Sequence, residues 1–91
     1  MAAGGVAGRQ RVSEIDSLIR ALADSDPEAR AAAVEALGKL RDVRAVGSLA
    51  QALIDLDPAV RRKAEEALRQ TEEGRAVMAI VEAVQFASAF Y

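Results

Sequence analysis

Cysteine, histidine, tryptophan and asparagine are all absent from this chain of 91 residues, which has only two prolines and three aromatic residues. Without cysteine there can be no disulfide, no thiolate metal site and no cysteine nucleophile. Without histidine the commonest general base and the commonest nitrogen ligand for zinc or iron are missing. No apolar run approaches the roughly 20 residues needed to span a bilayer. Charge of either sign is not in excess: 12 basic residues face 14 acidic ones, for a net charge of −2, so nothing global draws the chain to a polyanion or an anionic membrane. The expectation is a protein that is not an enzyme and holds no cofactor or metal.

What the chain has in abundance is alanine, 21 of its 91 residues. Alanine is the best helix former, and with few β-branched runs the composition points to an all-α fold. Met1 to Gln10 is small and glycine-rich and lacks the apolar centre of a secretory signal. Residues 1–11 are expected to form a flexible tail, and the expected compartment is the cytoplasm.

The main organising feature is an internal repeat. Asp26-Pro27 recurs 31 residues later as Asp57-Pro58. At that offset Ser17, Leu18, Ala21, Leu22 and Asp24 fall on Ser48, Leu49, Ala52, Leu53 and Asp55. Arg30, Ala33, Glu35, Ala36 and Leu37 fall on Arg61, Ala64, Glu66, Ala67 and Leu68, and Val12 falls on Val43. A partial third copy follows, with Arg75, Ala76, Val77 and Ala83 standing for Arg44, Ala45, Val46 and Ala52. The domain is therefore read as one unit over 12–91, made of repeats 12–42 and 43–73 and a half repeat 74–91.

Each repeat reads as two helices. The first carries an i, i+3, i+4, i+7 stripe: Ile15, Leu18, Ile19 and Leu22, then Val46, Leu49, Ala50 and Leu53, then Val77, Ile80, Val81 and Val84. The second starts at an Asp-Pro pair, because Asp accepts the free N–H groups of a first turn and Pro lacks an N–H where none is needed. Ser13 with Asp16 reads as a capping box. Glu72, Glu73 and Gly74 read as the turn before the last helix. Helices are expected at about 13–24, 27–40, 43–55, 58–71 and 75–88.

The run from Asp26 to Leu40, DPEARAAAVEALGKL, with Asp42, Arg44, Ala45 and Val46 after it, resembles the HEAT-like repeat, in particular the short bacterial and archaeal type often called the bilin-lyase type. The likeness covers about residues 12–88 and implies an α-α superhelix, here of about 2.5 repeats and five helices. It implies a structural ladder between adjacent repeats, carried by Asp26, Arg30, Asp57 and Arg61, with Asp24, Asp55 and the cap residues Pro27 and Pro58. Some HEAT-repeat hydroxylases hold two irons with His-Glu pairs, which a chain without histidine cannot do. The third repeat departs from the pattern: Phe86, Ala87 and Ser88 stand where Asp55, Leu56 and Asp57 stood, and its second helix is missing. The chain is accordingly either a minimal member or a piece of a longer array.

Two surfaces are candidates for binding another protein. The resemblance places the second helices on a concave face, which here presents Arg62, Lys63, Glu66 and Arg69. Charges at i, i+4, Arg62 with Glu66 and Glu65 with Arg69, could equally pair among themselves on a solvated helix. The other surface is the end bearing Val84, Phe86, Phe90 and Tyr91, which either folds back as a cap or meets a second chain, including another copy of this one. Two further readings stand beside these. One is nucleic-acid binding through the basic strip at 61–69, against which the lack of any neighbouring aromatic counts. The other is a non-catalytic accessory piece of a lyase-type enzyme.

Overall fold

A computed structural model describes residues 14–90. Among them are five α-helices and no strand: α1 over 14–21, α2 Pro27–Leu40, α3 Val46–Ala52, α4 Pro58–Leu68 and α5 Glu72–Ser88. One turn of 3-10 helix, Val43–Ala45, leads into α3. The all-α repeat architecture implied by the 31-residue period is thus the one the chain adopts. The expected tail at 1–11, the cap at Ser13, the first ladder of identities at Val12, and Tyr91 lie outside the described residues.

The second helices start as their sequences dictate. The Asp26 carboxylate accepts from the Glu28 N–H at 3.0 Å, and that of Asp57 accepts from Ala59 and Val60 at 2.8 and 3.2 Å. Two residues upstream, Asp24 and Asp55 accept from the backbone of Asp26 and Asp57 at 2.8 and 2.9 Å. Each Asp-x-Asp-Pro run is therefore a double brace that fixes the chain before it enters the helix. Asp42 plays the same part ahead of the 3-10 turn, accepting from Arg44 N at 2.8 Å.

α2 and α4 lie side by side in the most extensive helix–helix contact among α2 to α5. Small residues set their spacing: a Cβ on Gly38 would stand 2.8 Å from the Cβ of Ala67. Leu37, Leu68, Val34 and Val60 fill the centre of the core, with Ile15, Leu49, Met78 and the alanines 33, 45, 52, 64 and 67 around them. Alanine at these sites lets the backbones close in, so the core is thin but tightly drawn. α2 ends at Arg41, whose φ of 51° and ψ of 40° are left-handed, and whose N–H reaches back to Gly38 O.

Five boundaries differ from the sequence expectation: α1 ends at 21 instead of 24, α3 starts at Val46 with 43–45 wound as 3-10 helix, and three others differ for a local reason. α3 stops at Ala52, and 53–57 form the turn that Asp55 and Asp57 brace. α4 stops at Leu68 instead of continuing to 71. α5 begins at Glu72, three residues early, because the Thr71 hydroxyl accepts from Gly74 N at 2.9 Å and caps the helix. Glu72 and Glu73 are thus not a turn; they lie in the first turn of α5, where carboxylates favour the helix dipole. Gly74 sits beneath the carbonyl of Leu68, where any Cβ would collide with backbone.

Candidate functional site

The ladder joins the repeats at one rung. Arg30, in the first turn of α2, donates Nε and Nη2 to the two oxygens of Asp55 at 2.9 and 3.1 Å, while Nη1 donates to the carbonyls of Asp24 and Ser25. Both side chains of the pair are largely covered, at 17% and 12% exposure. The Arg30 hydrogen bond is the main cause holding the Asp55 carboxyl below its ordinary pKa, against the opposing effect of burial. Of the residues the resemblance assigned to a ladder, Arg30 and Asp55 make the rung. Asp26 and Asp57 serve as caps, and among the described residues no ion pair joins either to an arginine.

Arg61 repeats the first half of this arrangement and not the second. Its Nη1 donates to the Asp55 carbonyl, as that of Arg30 does to Asp24. The position that would carry its carboxylate, 31 residues beyond Asp55, is Phe86. No ion pair to Arg61 forms among the described residues.

Two of the four cations of the expected basic strip at 61–69, Lys63 and Arg69, are held in ion pairs. Lys63 meets Glu35 of α2 at 3.1 Å, and Lys39 shares the same carboxylate at 3.5 Å. These two lysines, Lys63 first, hold the Glu35 carboxyl below its ordinary range. Arg69 stands between Glu65 at 4.0 Å and Glu82 of α5 at 3.4 Å. The i, i+4 pair of Glu65 and Arg69 therefore forms, whereas no ion pair joins Arg62 to Glu66. Glu35, Gly38, Lys63, Glu66 and Gln70 line a shallow cleft of about 300 Å³ between α2 and α4. The sequence reading missed Glu35 and Glu82 as partners, because each sits on a different helix from its cation and no spacing along one helix reveals it.

The third surface is the outer side of α5. The helix runs straight on through Ser88. Residues 82–90 are exposed throughout, so the segment does not fold back to cap the core. Phe86 and Phe90, 69% and 74% exposed, meet each other edge to face with ring centroids 5.0 Å apart. The stripe expected to be core is turned partly outward: Gly74 and Met78 are buried, Val77 and Val81 half-buried, and Ile80 and Val84 exposed. The repeat register explains this. Ala45, Leu49 and Ala52 of the second repeat are buried, and their copies Ala76, Ile80 and Ala83 are all exposed. Leu49 is 3% exposed and Ile80 66%. The face that is buried on the second repeat is thus uncovered on α5 among the described residues.

No helix among the described residues is long and apolar enough to cross a membrane. The family model described as HEAT repeats matches residues 1–87. No curated protein matches the chain.

Proposed function

We propose, from the premise that this chain belongs to the HEAT-repeat family, that it works in the cytoplasm as a protein-interaction module and that the outer side of α5 is its contact surface. HEAT repeats are in general interaction and scaffold modules and non-catalytic, and the working unit is the repeat domain over 12–91. The observation that carries the choice of face is the exposure of Ile80, Val84, Phe86 and Phe90 on one helix. Covering an apolar side of this kind with another chain is favourable, because it removes that surface from water.

The cleft between α2 and α4 supports a second contact. Lys39 and Lys63 with Glu35 and Glu66 offer a polar floor of both signs, suited to a protein and poorly suited to a polyanion, while Arg62 and Arg69, the other two residues expected on a concave face, lie outside the cleft. Pairing with Glu35, Glu65 and Glu82 has already used much of the cationic charge that phosphates would need.

Partner capture with single variants tests the assignment. The expected result is a partner held by the native chain and by Lys63→Ala, and released by Ile80→Asp. Release by Lys63→Ala with retention by Ile80→Asp would move the site to the cleft. Light scattering on the purified chain tells whether a second copy is that partner.

A further inference from the structure

We infer that the open side of α5, which the repeat register sets beside Arg61, is a docking groove for an amphipathic helix of a partner protein whose lead-in presents a carboxylate, seated there as α4 is seated one repeat earlier. This rests on the reading of α5 as the contact surface and names what that surface selects.

The occupant is argued from what fills the equivalent place one repeat earlier. There, the 3-10 turn and α3 bury Ala45, Leu49 and Ala52 within the core to which α4 also contributes. Asp55, three residues ahead of α4, closes on Arg30 with two hydrogen bonds. Both halves of this mould recur one repeat later. Ala76, Ile80 and Ala83 repeat the alanine–large–alanine face and are exposed. Arg61 repeats Arg30, is held by its Nη1 on the Asp55 carbonyl as Arg30 is held on that of Asp24, and is only partly exposed. Its Nε and Nη2, the two donors that Arg30 gives to a carboxylate, are left to an outside acceptor. A guanidinium fixed by one donor and offering a fork with the others is pre-organised for a carboxylate. Ile54 and Leu56, 84% and 94% exposed, flank the residue whose carbonyl Arg61 holds and add apolar surface beside the fork.

One feature limits how the helix can lie. Gly38, which lets α4 close on α2, has Arg69 as its copy, and Arg69 is engaged with Glu82. A docked helix is kept off α4 at that end and rests mainly on Arg61, Ile80 and Val84. An incoming helix that starts with an acidic lead-in and carries large apolar side chains in its first two turns fits; a basic or uniformly polar one does not.

The chain's own α4 is the probe, as a synthetic peptide of residues 53–71 titrated against the full 91-residue protein and followed by NMR. The expected result is saturable shifts at Ile80, Val84 and the Arg61 side-chain Nε–H, with a peptide carrying Asp55→Asn about tenfold weaker. Arg61→Gln in the protein should erase the preference between the two peptides, and Ile80→Asp should abolish binding of both. Equal binding of both peptides at Ile80 would overturn the carboxylate-led groove while leaving α5 as the contact surface. No shift at α5 with either peptide up to about 1 mM, or shifts confined to the cleft between α2 and α4, would overturn the inference outright.

Discussion

Arg30 and Asp55 are 25 residues apart in sequence and joined by two hydrogen bonds of 2.9 and 3.1 Å in a largely covered pair. One guanidinium thereby ties the start of α2 to the turn before α4, and through its Nη1 to the turn before α2 itself. Asp55→Ala should remove both the rung and the brace on Asp57 N. The thermal midpoint should fall by about 5 °C or more. Lys63→Ala, which opens an exposed pair, should shift it by much less.

The rung also sets a pH dependence. The Asp55 carboxyl is held below the ordinary value by Arg30, so the unfolded chain takes up a proton at higher pH than the folded one. Its contribution is full above the ordinary Asp value of about 4 and is lost as the pH falls through the lower, folded value. Urea midpoints at pH 7 should therefore separate the native chain from Asp55→Asn, and the gap should narrow toward pH 3. A gap that widens with acid would contradict the rung's role. Glu35 acts with the same sign, through a weaker and exposed pair.

The helical glycines should respond in opposite directions. Gly47 has open space around its missing Cβ, so Gly47→Ala should stabilise by about 0.5–1 kcal/mol through helix propensity and reduced unfolded-state entropy. Gly38→Ala meets Ala67 at 2.8 Å, and the strain of parting α2 from α4 should outweigh the same propensity gain, for a net loss of about 1 kcal/mol. Gly74→Ala drives a Cβ into the Leu68 backbone and should cost about 3 kcal/mol or more. Chemical denaturation of the three variants gives the ranking directly.

Arg41 closes α2 in a left-handed conformation that a Cβ disfavours. Its side chain is exposed, with one long contact to Gln70 at 3.4 Å. Arg41→Gly should raise stability by about 0.5–1 kcal/mol, read as a higher urea midpoint at unchanged slope.

Core and end should separate cleanly. Leu37→Ala or Leu68→Ala, each emptying a fully buried site, should cost about 2–5 kcal/mol. Ile80→Asp and Phe86→Ser touch exposed positions and should leave the urea midpoint within about 0.5 kcal/mol of native.

The architecture was legible because it repeats. Asp26-Pro27 and Asp57-Pro58 mark where α2 and α4 start, and the 31-residue offset places Leu37 and Leu68 in the core without any coordinates. Thr71 was missed because its cap bond competes with a glycine three residues on that reads as a turn breaker. The ion pairs that engage half of the expected basic strip, Lys63 with Glu35 and Arg69 with Glu82, cross between helices and leave no trace in spacing. The outward turn of Ile80 was half visible: its stripe marked it as apolar, but only the burial of its copy Leu49 shows which neighbour it lacks.

The most direct test of α5 as the contact surface is site-specific photo-cross-linking in the producing cell, with a benzophenone side chain at position 80 in one variant and at position 39, which lines the cleft between α2 and α4, in another. A discrete adduct from position 80, and none from 39, is the predicted result. Adducts from position 39 alone would contradict it and assign binding to the cleft between α2 and α4.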